Sequence, residues 1–195
     1  DDAAVRRCIA AARAAGATAL TLTGGEVLAR AEALDWIDAA RCAGFRAVEV
    51  RTSGRLLALP AAAERVVAAG ATHVGVELLG GDAAAHDLLV GQPGAFSRAI
   101  RALRNCRAAG ASTRVVVPVL RPSYRGLSAL VRRALPLGVS GFDFISVPGP
   151  DRDAHPLLPH PALAAARVRE ALTLIQAARR RATTMAMTAC LLEAH

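Results

Sequence analysis

The sequence predicts an α/β chain built on a parallel sheet, and three observations carry that prediction. A helical pattern closed by a glycine and followed by a β-prone run occurs five times, with Gly16, Gly44, Gly70, Gly110 and Gly138 at the closing positions. A glycine there supplies the positive φ that ends a helix, and strands alternating with helices of this length imply right-handed βαβ units. Each run ends in a polar or glycine-rich tip, as parallel α/β folds do where they bind ligands. The composition agrees: 53% hydrophobic, 3% aromatic and 21% charged over 195 residues, enough for one sizeable aliphatic core.

In chain order, helices are expected near residues 3–15, 31–43, 60–69, 94–109, 124–137 and 162–180. Strands are expected at 17–23, 46–52, 73–79, 113–120 and 141–147, with one more in the tail 181–195. Trp36 and Ile37 are placed on the core side of their helix. The run 151–161 is rich in proline and histidine and reads as a long loop.

The run Leu20-Thr21-Leu22-Thr23 alternates as a buried strand does and stops at Gly24-Gly25-Glu26. Two glycines permit a tight turn and close approach of backbone to a ligand. The other tips are Thr52-Ser53-Gly54, Glu77 with Gly80-Gly81, Arg121-Pro122, and Ser146 with Pro148-Gly149. Five such tips on one edge suit a cofactor.

The charge of +8 comes with 24 basic residues, all arginine. Arg98, Arg101, Arg104 and Arg107 fall at helical spacing opposite Phe96, Ala99, Ile100 and Leu103, as the wet face of an amphipathic helix would. With no aromatic interleaving and no nucleic-acid module, no specific nucleic-acid partner is expected. No apolar stretch is long enough to span a membrane and no signal peptide is visible. Cys8, Cys42, Cys106 and Cys190 lack metal-type spacing and disulfide density, which points to a reducing cytoplasm; the first three read as small core hydrophobes. The chain opens on Asp1 and enters a helix at once, so a piece of a longer chain is expected.

The order of motifs resembles the radical SAM superfamily. Thr23-Gly24-Gly25-Glu26 is similar to that family's GGE turn, with Val27 where proline usually follows. Thr52-Ser53-Gly54 resembles its Thr-Asn-Gly element, with Ser53 for asparagine. Val76-Glu77-Leu78-Leu79-Gly80, with Ala85-His86-Asp87 and Gly91 to Phe96, and then Val115 to Tyr124, resemble its next two strands and their exits. The resemblance implies a partial (β/α) TIM-type barrel over residues 1–195, of about five to six βα units with the first strand missing. It also implies S-adenosylmethionine bound beside a 4Fe-4S cluster, a 5'-deoxyadenosyl radical, and an electron donor such as a flavodoxin or ferredoxin.

On that basis the cofactor-binding residues are Gly24, Gly25, Glu26, Thr52, Ser53, Glu77, Arg121, Ile145 and Ser146. The first three meet the methionyl ammonium, Arg121 its carboxylate and Glu77 the ribose, with adenine near Ile145 and Ser146. A salt bridge at the rim is the simpler role for Glu77 and Arg121. The family's Cys-x-x-x-Cys-x-x-Cys loop is absent from these 195 residues, so its ligands are expected upstream and no metal ligand is assigned here. His155 and His160, with Asp151 and Asp153, are further polar candidates in the loop. A cluster-less barrel acting as a binding or scaffold domain, and a phosphate-binding barrel enzyme, are the alternatives. Substrate and catalytic residues are not legible.

Overall fold

The computed structural model describes residues 1–146 and 156–185. The described residues form seven α-helices and six strands, alternating except where two helices follow one another between the third and fourth strands. They are α1 (Asp2–Ala14), β1 (Ala19–Leu22), α2 (Ala33–Cys42), β2 (Ala47–Thr52), α3 (Pro60–Ala68), β3 (His73–Glu77), α4 (Ala83–Val90), α5 (Ala95–Ala108), β4 (Ser112–Pro118), α6 (Leu127–Ala134), β5 (Gly141–Ile145), α7 (Pro161–Ala177) and β6 (Arg181–Met185). The strands follow one another in the sheet in chain order. Two compact units divide the chain: Asp1–Val76 with Arg98–Thr113, and Glu77–Ser97 with the described residues from Arg114 on.

In the first unit β1 pairs with β2 and β2 with β3, all parallel, with Thr21 opposite Glu49 and Glu49 opposite His73. Successive strand residues point to opposite faces. One set, Leu22, Val48, Val50, Val74 and Val76, is buried, and Ile37, Ala99, Ala102 and Leu103 of the helices are buried with it. Each such aliphatic side chain contributes about 1.5 to 3 kcal/mol on burial. The other set, Thr21, Glu49, Arg51 and His73, stays polar and at least partly exposed. Trp36 is buried, and its indole nitrogen donates to Asp2 Oδ1 at 2.6 Å. That bond is the main reason the Asp2 carboxyl titrates below the ordinary aspartate range. Gly70 closes α3 at φ 119°, and a Cβ there would lie 2.6 Å from Arg41 Cδ, so only glycine fits.

In the second unit β4 pairs with β5 and β5 with β6, again parallel. Phe142 and Phe144 are fully buried, as are Val115, Val131 and Ile175. The expected sixth strand is present as Arg181–Met185.

Three expectations change. The helix expected over 124–137 is interrupted: Tyr124–Gly126 and Leu135–Leu137 are tight 3-10 turns flanking α6. Pro136 has no N–H to give the ladder and Gly138 closes the segment at φ 74°. A short helix, α4, goes unanticipated between Gly81 and Gly91; Asp82 caps it by accepting from Ala85 N at 2.9 Å. Cys8 and Cys42 are exposed rather than core residues, and Cys106 alone of those three is buried. Ile9, not Cys8, is the buried position of α1, and Cys42 ends α2 with its Sγ 3.7 Å from Asp38 Oδ2. Among the described residues no helix is long and apolar enough to cross a membrane.

Candidate functional site

The exit of β1 is an open backbone turn. Gly24 and Gly25 have φ values of 106° and 55°, both are exposed, and a Cβ on either would meet nothing within 4 Å. A side chain is excluded here by backbone conformation and not by crowding.

Glu26 follows, and its carboxylate is fully used. Oε1 accepts from Thr52 Oγ1 at 2.7 Å and from Leu28 N at 3.3 Å. Oε2 accepts from Ser53 N at 3.0 Å and from Ser53 Oγ at 2.5 Å. Thr52 Oγ1 is almost fully buried and also accepts from Gly54 N at 3.1 Å. Gly54 must be glycine: at φ 81° its Cβ would be 3.0 Å from both Ala102 Cβ and Val76 Cγ1. One carboxylate thus clasps the exit turn of β1 to the exit turn of β2. The structure brings Gly24, Gly25, Glu26, Thr52 and Ser53 together within the first unit.

In the second unit the chain leaves β3 through Glu77, which is half-buried. Leu78 N donates to Val116 O at 2.9 Å, and Leu79 N donates to His86 Nδ1 at 3.1 Å. His86 is buried on α4 with its ring edge-on to Phe96 at 5.7 Å. Burial pushes the imidazole below the ordinary histidine range, against a smaller opposing pull from Asp87. A neutral ring that accepts at Nδ1 carries its proton on Nε2. Gly80 packs so tightly there that a Cβ would fall 2.6 Å from His86 N.

Arg121 is exposed, its Nε donating to Leu158 O at 3.0 Å and its backbone N to Leu157 O at 2.8 Å. That anchorage uses carbonyls. Ile145 and Ser146 are half-buried at the end of β5, where Ser146 N donates to Met185 O at 3.0 Å. His160 is exposed at the start of α7. Pro148-Gly149, Asp151, Asp153, His155 and Cys190 lie outside the described residues.

Two carboxylates escape the sequence reading. Glu49 on β2 accepts from Thr21 Oγ1 at 2.9 Å through Oε2, and Arg51 Nε lies 3.4 Å from the same oxygen. Its Oε1 is shielded and has no hydrogen-bond donor. Asp143 on β5 is buried, and Arg114 grips it with a two-pronged fork, Nε to Oδ2 at 3.1 Å and a terminal nitrogen to Oδ1; Thr183 Oγ1 donates to Oδ1 as well. The available signal was an acid inside an apolar strand, Val48-Glu49-Val50 and Phe142-Asp143-Phe144. Such a local conflict marks a paired or functional site.

Residues 2–124 match the family model described as the radical SAM superfamily. The chain belongs to the radical SAM superfamily. It is 31% identical over 134 residues to an AdoMet-dependent heme synthase of Methanosarcina barkeri, covering 68% of this chain and 38% of that protein. The heme synthase of Nitratidesulfovibrio vulgaris is 29% identical over 130 residues, covering 66% of this chain and 35% of the relative. The chain therefore spans little more than a third of the length of these curated relatives. Its fold matches that of Streptococcus suis SuiB, solved with S-adenosylmethionine bound, at a TM-score of 0.72 and 15% identity, over 92% of this chain and 40% of SuiB. The radical SAM core, a parallel partial (β/α) barrel, is the fold class expected from the sequence.

The chemistry of the residues expected to meet S-adenosylmethionine differs from what its metal partner needs. Backbone free of side chains at Gly24-Gly25 offers acceptors of the kind an ammonium takes, and the guanidinium of Arg121 is a donor of the kind a carboxylate takes. An iron-sulfur cluster needs converging thiolates. Among the described residues no group of three His, Cys, Asp or Glu could hold a metal. Burial holds the Cys106 thiol protonated, pushed up to about 12.

Proposed function

We propose that this chain is the S-adenosylmethionine-binding core of a radical SAM enzyme, residues 1–195 acting together. Gly24, Gly25, Thr52, Ser53, Glu77, Arg121, Ile145 and Ser146 line its cofactor site. The observation that carries this reading is the Glu26 clasp: four donors converge on one carboxylate beside an exposed glycine turn. Glu26 then serves by position, since none of its oxygens is left to take the ammonium. It holds the Gly24-Gly25 backbone where its carbonyls receive that group.

Bound S-adenosylmethionine supplies, on reduction, the 5'-deoxyadenosyl radical that attacks the substrate. This chain's residues bind and orient the cofactor. The cluster's thiolates, a flavodoxin- or ferredoxin-type electron donor and a cytoplasmic location complete the proposal, the thiolates coming from sequence other than the described residues.

Calorimetric titration of S-adenosylmethionine into the full-length, cluster-loaded protein tests it. Glu26→Gln replaces an all-acceptor carboxylate by an amide that must point an NH2 at one of its donors. The loss of charge-assisted bonds worth about 1.5 to 3 kcal/mol predicts roughly tenfold to hundredfold weaker binding. Tight binding unchanged in Glu26→Gln and Arg121→Ala would favour the scaffold reading for these residues.

A further inference from the structure

In the first unit the polar side of the strands is a continuous tract. Thr21, Glu49 and His73 are direct cross-strand neighbours, so their side chains stand in one row about 5 Å apart. The next position along carries Arg51 opposite Gly75, which is buried and adds no side chain to the tract. Beyond it the strands end in the Gly24-Gly25 and Thr52-Ser53 turns. This tract leads to the proposed cofactor turns.

Its hydrogen bonding is lopsided. Both Thr21 and Arg51 address Glu49 Oε2, at 2.9 Å and 3.4 Å, while Oε1 has no donor although it is shielded from solvent. Buried polar oxygens are as a rule hydrogen-bonded, and Oε1 meets no donor from the protein, so it is the oxygen that can take one from a ligand. The Glu49 side chain keeps 14% of its surface exposed and Thr21 is exposed. A carboxylate's terminal torsion is soft, and a modest rotation presents Oε1 to the open side. The nearby cation, Arg51, stands at ion-pair distance from the other oxygen, Nε to Oε2 at 3.4 Å.

We propose that Glu49 is a substrate-contact residue, and that its Oε1 receives a hydrogen-bond-donating, non-anionic group of the substrate, best matched by a protonated amine. The assignment rests on the radical SAM reading for what happens to that substrate, and on the Thr21-Glu49-Arg51 geometry for where it binds. A carboxylate at the same place would meet Glu49's charge and be repelled.

The test uses the full-length protein and two probes of equal size, propylammonium and propionate, at fixed ionic strength. The readouts are the NMR resonances of the His73 ring, one strand away from Glu49, and the thermal midpoint. Propylammonium should shift His73 with a millimolar Kd, propionate should not, and Glu49→Gln should weaken the amine about tenfold. Glu49→Asp, which keeps the charge but withdraws it by one methylene, should give an intermediate loss. Without amine, Glu49→Gln should melt at the wild-type temperature, because the amide relieves an orphaned charge. Equal shifts with propionate, an amine response that survives Glu49→Gln, or a Glu49→Gln protein that melts several degrees lower or does not fold would each overturn the proposal, the last by making the pair structural. Wild-type titration with S-adenosylmethionine runs in parallel. Its failure would sink the radical SAM reading while the amine result still decides Glu49.

Discussion

Glu49 and Asp143 sit in comparable places, each in the middle of a strand between buried apolar residues, one in each unit. Asp143 is buried, held by both prongs of Arg114 and by Thr183, with every near oxygen taken. Glu49 has two partners on one oxygen and none on the other. A buried charge that is completely met is a structural joint, because removing either partner strands the other. A half-buried carboxylate that is half met stores a cost, and a stored cost at a strand face is where a ligand can be recognised. The same residue chemistry thus has two uses, told apart by counting donors.

The comparison breaks most visibly at Asp143. Asp143→Asn leaves Arg114 without its counter-charge in a buried setting, and about 3 to 5 kcal/mol of folding stability should be lost. Denaturant unfolding measures it. Replacing both, Asp143→Leu with Arg114→Met, should recover much of that loss, since an apolar pair of similar volume pays no desolvation. A single variant as stable as wild type would mean that Asp143 is not the joint described here.

The sequence made the alternation legible but not these pairs. Glycine punctuation and β-prone runs marked the first five strands, because helix caps and strand patterns are local; the sixth was expected only as one more strand in the tail. The fork on Asp143 and the Glu26 clasp depend on register between segments 26 to 40 residues apart, which no local window contains. Glu26 itself was read as a cofactor contact. Its identity was visible, but not that Thr52 and Ser53 would use up its oxygens. α4 failed for a different reason: eight residues hold too few turns for a periodic signal, and its closing Gly91 looked like part of a loop. Cys8 was misplaced because an alanine-rich helix offers little contrast between its faces.

A smaller effect separates the units by pH. The second unit holds His86 neutral by burial, its Nδ1 taking the Leu79 amide. Its folded value lies below the ordinary one of about 6.5, so between the two the unfolded chain binds the extra proton. Stability from this group is fully present above about pH 6.5 and is lost as pH falls toward the folded value, by at most about 1.4 kcal/mol per pH unit. His86→Gln, whose amide oxygen can still accept from Leu79, should flatten that slope. The expected companion is a loosened exit from β3, where Glu77 lies. A wild-type slope retained in the variant would place the titration elsewhere.

The smallest expected change sharpens the comparison most. Glu49→Gln is the same acid-to-amide exchange as Asp143→Asn, yet it should alter folding stability by no more than about 0.5 kcal/mol, the range of substitutions that disturb no satisfied network. The amide oxygen still accepts from Thr21, and the NH2 occupies the position where the orphaned oxygen was. Arg51 loses one long ion pair at 3.4 Å, whose side chains keep 15% and 14% exposure. Against that stands the relief of an ionised oxygen that had no donor. These two terms oppose each other, whereas at Asp143 every term has one sign. Parallel urea titrations of the two amide variants therefore measure whether donor count alone separates a joint from a receptor. Equal losses in both would show that Glu49 is as structural as Asp143, and the strand face of the first unit would then be a scaffold.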